Sequence, residues 1–274
     1  MITRRTFGKL AVAAFVKINS KVAGVTIGAQ TYSFRDRPLD GCIAGMKEVG
    51  LGEAELYNGH IEPKDPAALK AFRNDPPLEE MRGVRRKFDA AGIELYALNY
   101  SFREEWSDRE LASGFEIAKA MGVQYITASS NVSTARRIDP IAQKYKIVVG
   151  FHNHSNMAPN EFARPEDFAE AMRGKSKYIA INLDIGHFTA AGYDPVTFLE
   201  QHHDRIVTLH LKDRKKNQGP NVPFGEGDTK IKEVLQVLKT KRYPIPANIE
   251  YEYKGGDTIV EMKKCFAYCK AALA

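Results

Sequence analysis

Hydrophobic and polar positions along the chain fall into two alternating rhythms. Short runs of Val, Ile, Leu and Ala predict strands at Val22–Gln30, Ala54–Tyr57, Ile93–Asn99, Tyr125–Ala128, Ile147–His152, Tyr178–Leu183, Ile206–Leu211 and Ala247–Tyr253. Longer amphipathic stretches predict helices at Leu39–Val49, Leu78–Ala91, Glu110–Met121, Ser133–Tyr145, Lys230–Thr240 and Thr258–Ala271, with two more opened by Pro165 and by Asp194-Pro195. Residues Asp65–Pro77 read as a loop with a short helical piece, and Pro140 predicts an interruption of its helix. Local chemistry agrees with these boundaries. Pro76-Pro77 opens a helix that Gly92 closes, Ser107-Asp-Arg-Glu110 has the form of a capping box, and Asp194 precedes Pro195 as an N-cap. The strands are near-continuous apolar runs, as expected when helices cover both faces of a parallel sheet. Eight strands alternating with helices over about 250 residues match an α/β fold of the (β/α)8 (TIM) barrel type in a single domain. An open doubly wound sheet is the alternative, but no Gly-x-Gly-x-x-Gly turn follows the first strand.

Four of these strands end abruptly in side chains able to bind metal. They are His152-Asn-His154, Asp184-Ile-Gly-His187, His210-Leu-Lys212-Asp213 and Asn248-Ile-Glu250-Tyr-Glu252. Barrel strands deliver their C-terminal residues to one rim, so groups far apart in sequence converge there. A lone Asp or His at a strand end is usually a cap or a hydrogen-bonded rim residue, but four consecutive strand ends of this kind point to one divalent-metal site. Mixed imidazole and carboxylate donors suit Mn, Zn, Co or Fe(II), and Mg if oxygen ligands dominate. Alternation along a strand leaves open whether His152 or His154, and Glu250 or Glu252, is the ligand. Glu55 and His60, on the second strand and the loop after it, are candidate substrate contacts. Trp106 and Phe224, in loops on the same rim, are candidates for stacking on a sugar ring; Tyr32 and Phe34 read as rim packing. Arg35 and Lys212 are placed to meet an anionic or phosphorylated substrate or to be ion-paired. His202-His203 reads as solvated surface.

Composition narrows the partners. The chain has 274 residues, 43% hydrophobic and 27% charged, enough for a substantial core. Five of its six net positive charges lie in residues 1–22 (Arg4, Arg5, Lys9, Lys17 and Lys21, with no acid), leaving +1 on the rest. A near-neutral body has no electrostatic footprint for nucleic acid, and no apolar run reaches the roughly 18 residues that span a bilayer. The three cysteines form neither a disulfide framework nor a Cys-based zinc motif. Residues 1–22 resemble a twin-arginine export signal, Arg4-Arg5 followed by the short apolar run Leu10–Val16; the expectation is a periplasmic protein, with a basic leader on a cytoplasmic protein as the alternative. Residues 23–274 form the barrel.

The order Asp184-x-x-His187, His210-x-Lys212, Glu250, together with Ile27-Gly-Ala-Gln30-Thr-Tyr-Ser-Phe and Gly225-Glu-Gly-Asp228, resembles the sugar phosphate isomerase/epimerase superfamily with its xylose-isomerase-like barrel, over roughly residues 24–272. Its members include ketose epimerases, hydroxypyruvate isomerases, inosose and dehydroshikimate dehydratases and an apurinic endonuclease branch. The resemblance implies Asp184, His210 and Glu250 as metal ligands and His187 as a contact to a substrate oxygen. Strand five departs from the pattern, with His152-Asn153 where many relatives carry Glu followed by Asn. With His152 as ligand, the site lacks one of the two facing glutamates that epimerases use, so that mechanism does not carry over whole. The endonuclease branch uses a trinuclear cluster with more His ligands and a basic face, neither of which this chain offers. Barrels of the family commonly pair, which makes a homo-oligomer an open expectation.

Such a site favours proton abstraction next to the carbonyl of a small-molecule sugar or sugar derivative, through a metal-stabilised enediolate. Glu250 or Glu252 is the first candidate base, His154 or Lys212 the second. Reprotonation gives an isomerase or epimerase; expulsion of a β-oxygen gives a dehydratase or lyase on a keto-sugar or cyclitol. A non-catalytic sugar-binding barrel is the expectation from another class.

Overall fold

A computed structural model describes residues 16–274. Its eight parallel strands are β1 (Val25–Gln30), β2 (Glu53–Tyr57), β3 (Glu94–Asn99), β4 (Tyr125–Ala128), β5 (Val148–His152), β6 (Ile179–Asp184), β7 (Ile206–Leu211) and β8 (Ala247–Ile249). Each pairs with its neighbour in chain order, and β1 pairs with β8 through Ile27↔Ala247 and Ala29↔Ile249, which closes the barrel. The helices around it are α1 (Leu39–Val49), α2 (Pro66–Asn74), α3 (Leu78–Ala91), α4 (Asp108–Met121), α5 (Ala135–Tyr145), α6 (Pro165–Met172), α7 (Ile185–Ala190), α8 (Pro195–His202), α9 (Ile231–Lys241) and α10 (Thr258–Leu273). The apolar core lies between strands and helices, where Phe88, Phe115, Phe151, Ile181 and Leu209 are fully buried. Side chains of this size contribute about 1.5–3 kcal/mol each when removed from water. Among the described residues no helix is long and apolar enough to cross a membrane.

The caps act where the sequence places them. Ser107 and Glu110 form the reciprocal box that starts α4, and the Asp194 side chain accepts from the Val196 amide before α8. Gly92 ends α3 at φ 74°, and a Cβ there would sit 2.3 Å from the Val16 carbonyl oxygen, so the position admits no larger residue.

The structure differs from the sequence reading at five places. The first predicted strand, Val22–Gln30, is broken by a turn at Ala23-Gly24, so that Val22 pairs antiparallel with β1, which starts at Val25. Residues Pro66–Asn74 are a complete helix capped by Asp65, not a loop with a short helical piece. Helix α5 is continuous through Pro140, the sixth of its 11 residues, which has no N–H to offer the Arg136 carbonyl one turn before it. Strand β8 stops at Ile249 and does not extend to Tyr253. A short helix, α7, follows β6 directly, with Asp184 as its N-cap.

The paired arginines of the expected export signal lie outside the described residues. From Ile18 onward the chain packs on the lower barrel rim: the Ile18 amide donates to the Gly92 carbonyl at 2.8 Å, the Gly52 amide to Ser20 Oγ at 3.0 Å, and Lys21–Val22 pairs antiparallel with β1.

Candidate functional site

The upper ends of β5 to β8 bring His152, Asp184, His210 and Glu250 together. One ligand-capable atom of each lies within 4.8 Å of the others, and all four residues are buried. The register accounts for the convergence. Asp184 pairs with His210 across β6 and β7, and His210 pairs with Asn248, two residues before Glu250. Asn153 fixes the first of these pairs: its side-chain amide accepts from the Asp184 N–H at 2.9 Å and donates to the Asp184 carbonyl at 3.1 Å.

Among the described residues His152 Nδ1 is buried without a hydrogen bond, His210 Nδ1 lies 3.0 Å from Glu250 Oε2, and the Lys212 ammonium holds the facing oxygens of Glu250 and Asp184 at 2.9 and 3.1 Å. Leaving the His152 nitrogen unpaired is costly, and a divalent cation would satisfy it while neutralising the two carboxylates that now share His210 and Lys212. Two nitrogens and two carboxylate oxygens suit Zn, Mn or Co better than Mg.

Glu55 stands behind this group. Its Oε2 lies 2.9 Å from His210 Nε2, while its Oε1 accepts from Thr127 Oγ1 at 2.6 Å and from Gln30 Nε2 at 3.3 Å. A carboxylate on the far nitrogen of a histidine fixes the ring and leaves Nδ1 to face the site. Glu55 is fully buried one layer below the rim and does not line the cavity, so the expectation that it touches substrate is corrected. Burial works against a charge on His210, but Glu55 and Glu250 outweigh it and hold the imidazole well above its usual range. For Glu250, burial is likewise outweighed, by Lys212 and His210, and its pKa is well depressed. Burial raises Asp184 to about 6, with the Lys212 charge opposing.

Lys212 Nζ lies 2.6 Å from Glu252 Oε2, 2.9 Å from Glu250 Oε2 and 3.1 Å from Asp184 Oδ2. Burial would expel its charge, yet these carboxylates raise its pKa above that of a free lysine. Burial first, then neighbouring positive charge, lowers the pKa of His152, His154 and His187, so all three rings are neutral near pH 7. His152, His154 and His187 also place ligand-capable atoms within 4.8 Å of one another.

Above the buried groups opens a cavity of about 630 Å³. His152, His154, His187, His210, Lys212, Glu250, Glu252 and Trp106 all line it, which brings these sequence-predicted residues to one place. Tyr32 joins them, while Phe34 is fully buried in the core. His60 is turned away from the cavity, with Nε2 3.1 Å from the Thr31 carbonyl. Phe224 packs edge-on against Tyr268 at 5.8 Å, on the side of α10, because its loop folds back over that helix. These two candidate substrate contacts are therefore corrected. Arg35 is spent on the Tyr251 carbonyl at 2.8 Å, and His203 stacks on Tyr243.

Several lining residues escaped the sequence reading. Tyr57 and Asn99 end β2 and β3, and Asn58, Ser101 and Ser129 follow the ends of β2, β3 and β4, where the rule applied to the later strands would have found them. Arg73 had no such signal. It comes from α2, pairs with Glu62 at 3.1 Å and stacks 4.1 Å from the Trp106 ring centre.

A closed parallel barrel with ligand-capable side chains at its C-terminal rim defines a class of enzyme scaffolds. The family model described as xylose isomerase-like TIM barrel matches residues 47–269, and the chain belongs to this family. L-ribulose-5-phosphate 3-epimerase of Shigella flexneri is 24% identical over 237 residues, covering 84% of this chain and 78% of that one. An uncharacterised protein of Methanocaldococcus jannaschii is 32% identical over 125 residues, 44% of this chain, and the match spans 42% of that relative. Among solved structures, the IOLI protein with a binding zinc atom superposes with a TM-score of 0.66 at 17% identity, over 89% of this chain and 97% of that one. A sugar phosphate isomerase/epimerase of Parabacteroides distasonis superposes with a TM-score of 0.64 at 20% identity, over 93% of this chain and 98% of that one.

Proposed function

We propose that this chain is a divalent-metal-dependent enzyme that removes a proton next to the carbonyl of a sugar or sugar derivative and returns it as an isomerase or epimerase. The observation that carries the reading is the buried cluster of His152, Asp184, His210 and Glu250, whose ligand-capable atoms lie within 4.8 Å of one another at the floor of a cavity of about 630 Å³. A cation held by these four residues would polarise a substrate carbonyl and ease the build-up of negative charge on its oxygen.

The remaining roles follow from what the cluster leaves over. Glu250 belongs to it, so Glu252, which lines the cavity outside it, is the carboxylate able to take the proton. The 2.6 Å contact from Lys212 keeps Glu252 oriented and places positive charge beside the reacting atoms. His154, neutral and on the same wall, is the second group able to carry a proton. A positioned acid or base contributes about 10²–10⁴-fold. A second reading, elimination of a β-oxygen by a lyase or dehydratase, is favoured by the imidazole of His152 in place of a carboxylate, because elimination needs one strong base where epimerisation needs two proton carriers.

The shared first step is testable. Metal-loaded protein incubated with keto- and aldo-sugars in D₂O is expected to place deuterium at the carbon next to the carbonyl, and Glu252→Gln to slow this by about 10²–10⁴-fold. Loss of water from the product separates lyase from isomerase. Absence of exchange in every sugar would leave a binding barrel without this chemistry.

A further inference from the structure

The loop between β7 and α9 commits an arginine to a histidine. Arg214 donates through Nε and Nη2 to the Gly219 carbonyl at 3.1 and 2.6 Å, and through Nη1 to Ser155 Oγ at 2.8 Å and to His187 Nδ1 at 2.7 Å. Among the described residues no carboxylate pairs with it. Its place is fixed from both sides: its amide donates to Thr229 Oγ1 at 3.0 Å, and the adjacent Asp213 carboxylate accepts from the amides of Gly225 (2.8 Å), Gly227 (3.0 Å) and Thr229 (3.2 Å).

A guanidinium has only donors and keeps its charge in proteins. The 2.7 Å contact therefore makes His187 Nδ1 an acceptor, and the ring proton of the neutral imidazole sits on Nε2. That N–H has no acceptor among the described residues. Lys212 Nζ is 3.1 Å from it, but an ammonium cannot accept, and its three protons already face Glu252, Glu250 and Asp184. Asp184 Oδ2 is 4.0 Å away, beyond a hydrogen bond. His187 lines the cavity, so its wall carries a donor that none of the described residues uses.

We propose that Arg214 is a positioning residue that holds His187 as the neutral Nε2–H tautomer, presenting one N–H to an oxygen of the substrate. The tautomer also withdraws His187 from metal ligation: a cation on Nε2 would force the proton onto Nδ1, facing the guanidinium. The group of His152, His154 and His187 is thus not the metal site. That the N–H meets a sugar oxygen rests on the function proposed above; the tautomer does not. A preset donor at an oxygen that gains charge is worth about 10²–10³ in kcat.

The test is long-range ¹H–¹⁵N correlation on full-length protein labelled with ¹⁵N-histidine, as purified and after zinc addition. The chain has seven histidines, and His187→Gln identifies the signals of interest. The expected pattern at neutral pH is a pyridine-type Nδ1 and a pyrrole-type Nε2, unchanged by zinc. It should persist in Arg214→Lys, which keeps a donor, and give way to mixed tautomers in Arg214→Met, with turnover of an exchanging sugar falling about 10–100-fold at unchanged metal content. A pyrrole-type Nδ1, a zinc-shifted Nε2, or a pattern indifferent to Arg214→Met overturns the proposal. If Arg214→Met does not fold, the wild-type and Arg214→Lys spectra decide it alone. The expected tautomer without exchange in any sugar would overturn the enzymatic reading instead, so the two failures are distinct.

Discussion

At the scale of single residues, the charged groups around the cluster divide into those that support a cation and those that compete with it. Glu55 contacts His210 Nε2 at 2.9 Å from behind. Glu55→Gln should weaken divalent-metal affinity by about 10–100-fold, measured by chelator competition; unchanged affinity would remove its supporting role. Lys212 places a positive charge 2.9 and 3.1 Å from two of the cluster's carboxylate oxygens. Lys212→Met relieves that like-charge repulsion, so metal binding is expected to tighten by roughly tenfold or more while turnover falls; weaker binding would contradict the electrostatic argument. The cluster residues were legible because each ends an apolar run, where a polar side chain has few structural uses. Arg214 was not. It lies past the strand in the charged run Lys212-Asp-Arg-Lys-Lys216, which reads as solvated loop, and its partner His187 is close only through the fold. Asn153 had a weaker signal, as the residue between two histidines.

At the scale of elements, most boundaries followed the apolar pattern, and the misreadings have identifiable causes. Beyond Ile249 the pattern continues through Tyr251 and Tyr253, but these rings are buried by α10 and its surroundings, as the Tyr253 hydroxyl bond to Glu261 at 2.7 Å shows. Burial by a helix and burial by strand pairing leave the same mark on a sequence. Helix α7 is six residues long, too short for a helical period to register. The loop over residues 217–228 has no repeating pattern, yet the three amides gathered by Asp213 organise it. Asp213→Ala should therefore speed amide hydrogen exchange at Gly225, Gly227 and Thr229 and leave β4 to β6 protected. Unaltered exchange at those three amides would show that the loop is held by something else.

At the scale of the whole molecule, the barrel was legible as eight apolar runs in alternation, but its polar interior was not. Asn182, Thr208, Asn248, Glu53 and Glu55 are buried inside a barrel, whereas in sequence a polar strand position looks the same whether it faces the lumen or water. Glu53 has the sharpest consequence. Neither of its oxygens has a hydrogen bond among the described residues, and they fit only because residue 28 is glycine: a Cβ added there would lie 1.8 Å from Oε2. Burial, then the Glu55 charge, raises its pKa well above 4.5. The folded state keeps a proton that the unfolded chain releases, so this group's contribution is complete below 4.5 and is lost as pH rises through the raised value. Glu53→Gln is expected to resist urea better than the parent at about pH 8, with the gap closing toward about pH 5; an equal gap at both would contradict the assignment. Export through the paired-arginine segment is proposed on sequence grounds alone, and full-length protein confined to the cytoplasm on cell fractionation would end that idea. The central claim is the position of one cation, and anomalous diffraction from crystals grown with Mn²⁺ tests it directly. The expected result is a single peak at bonding distance from His152, Asp184, His210 and Glu250. No peak among those four residues, or one held by His152, His154 and His187, would contradict it.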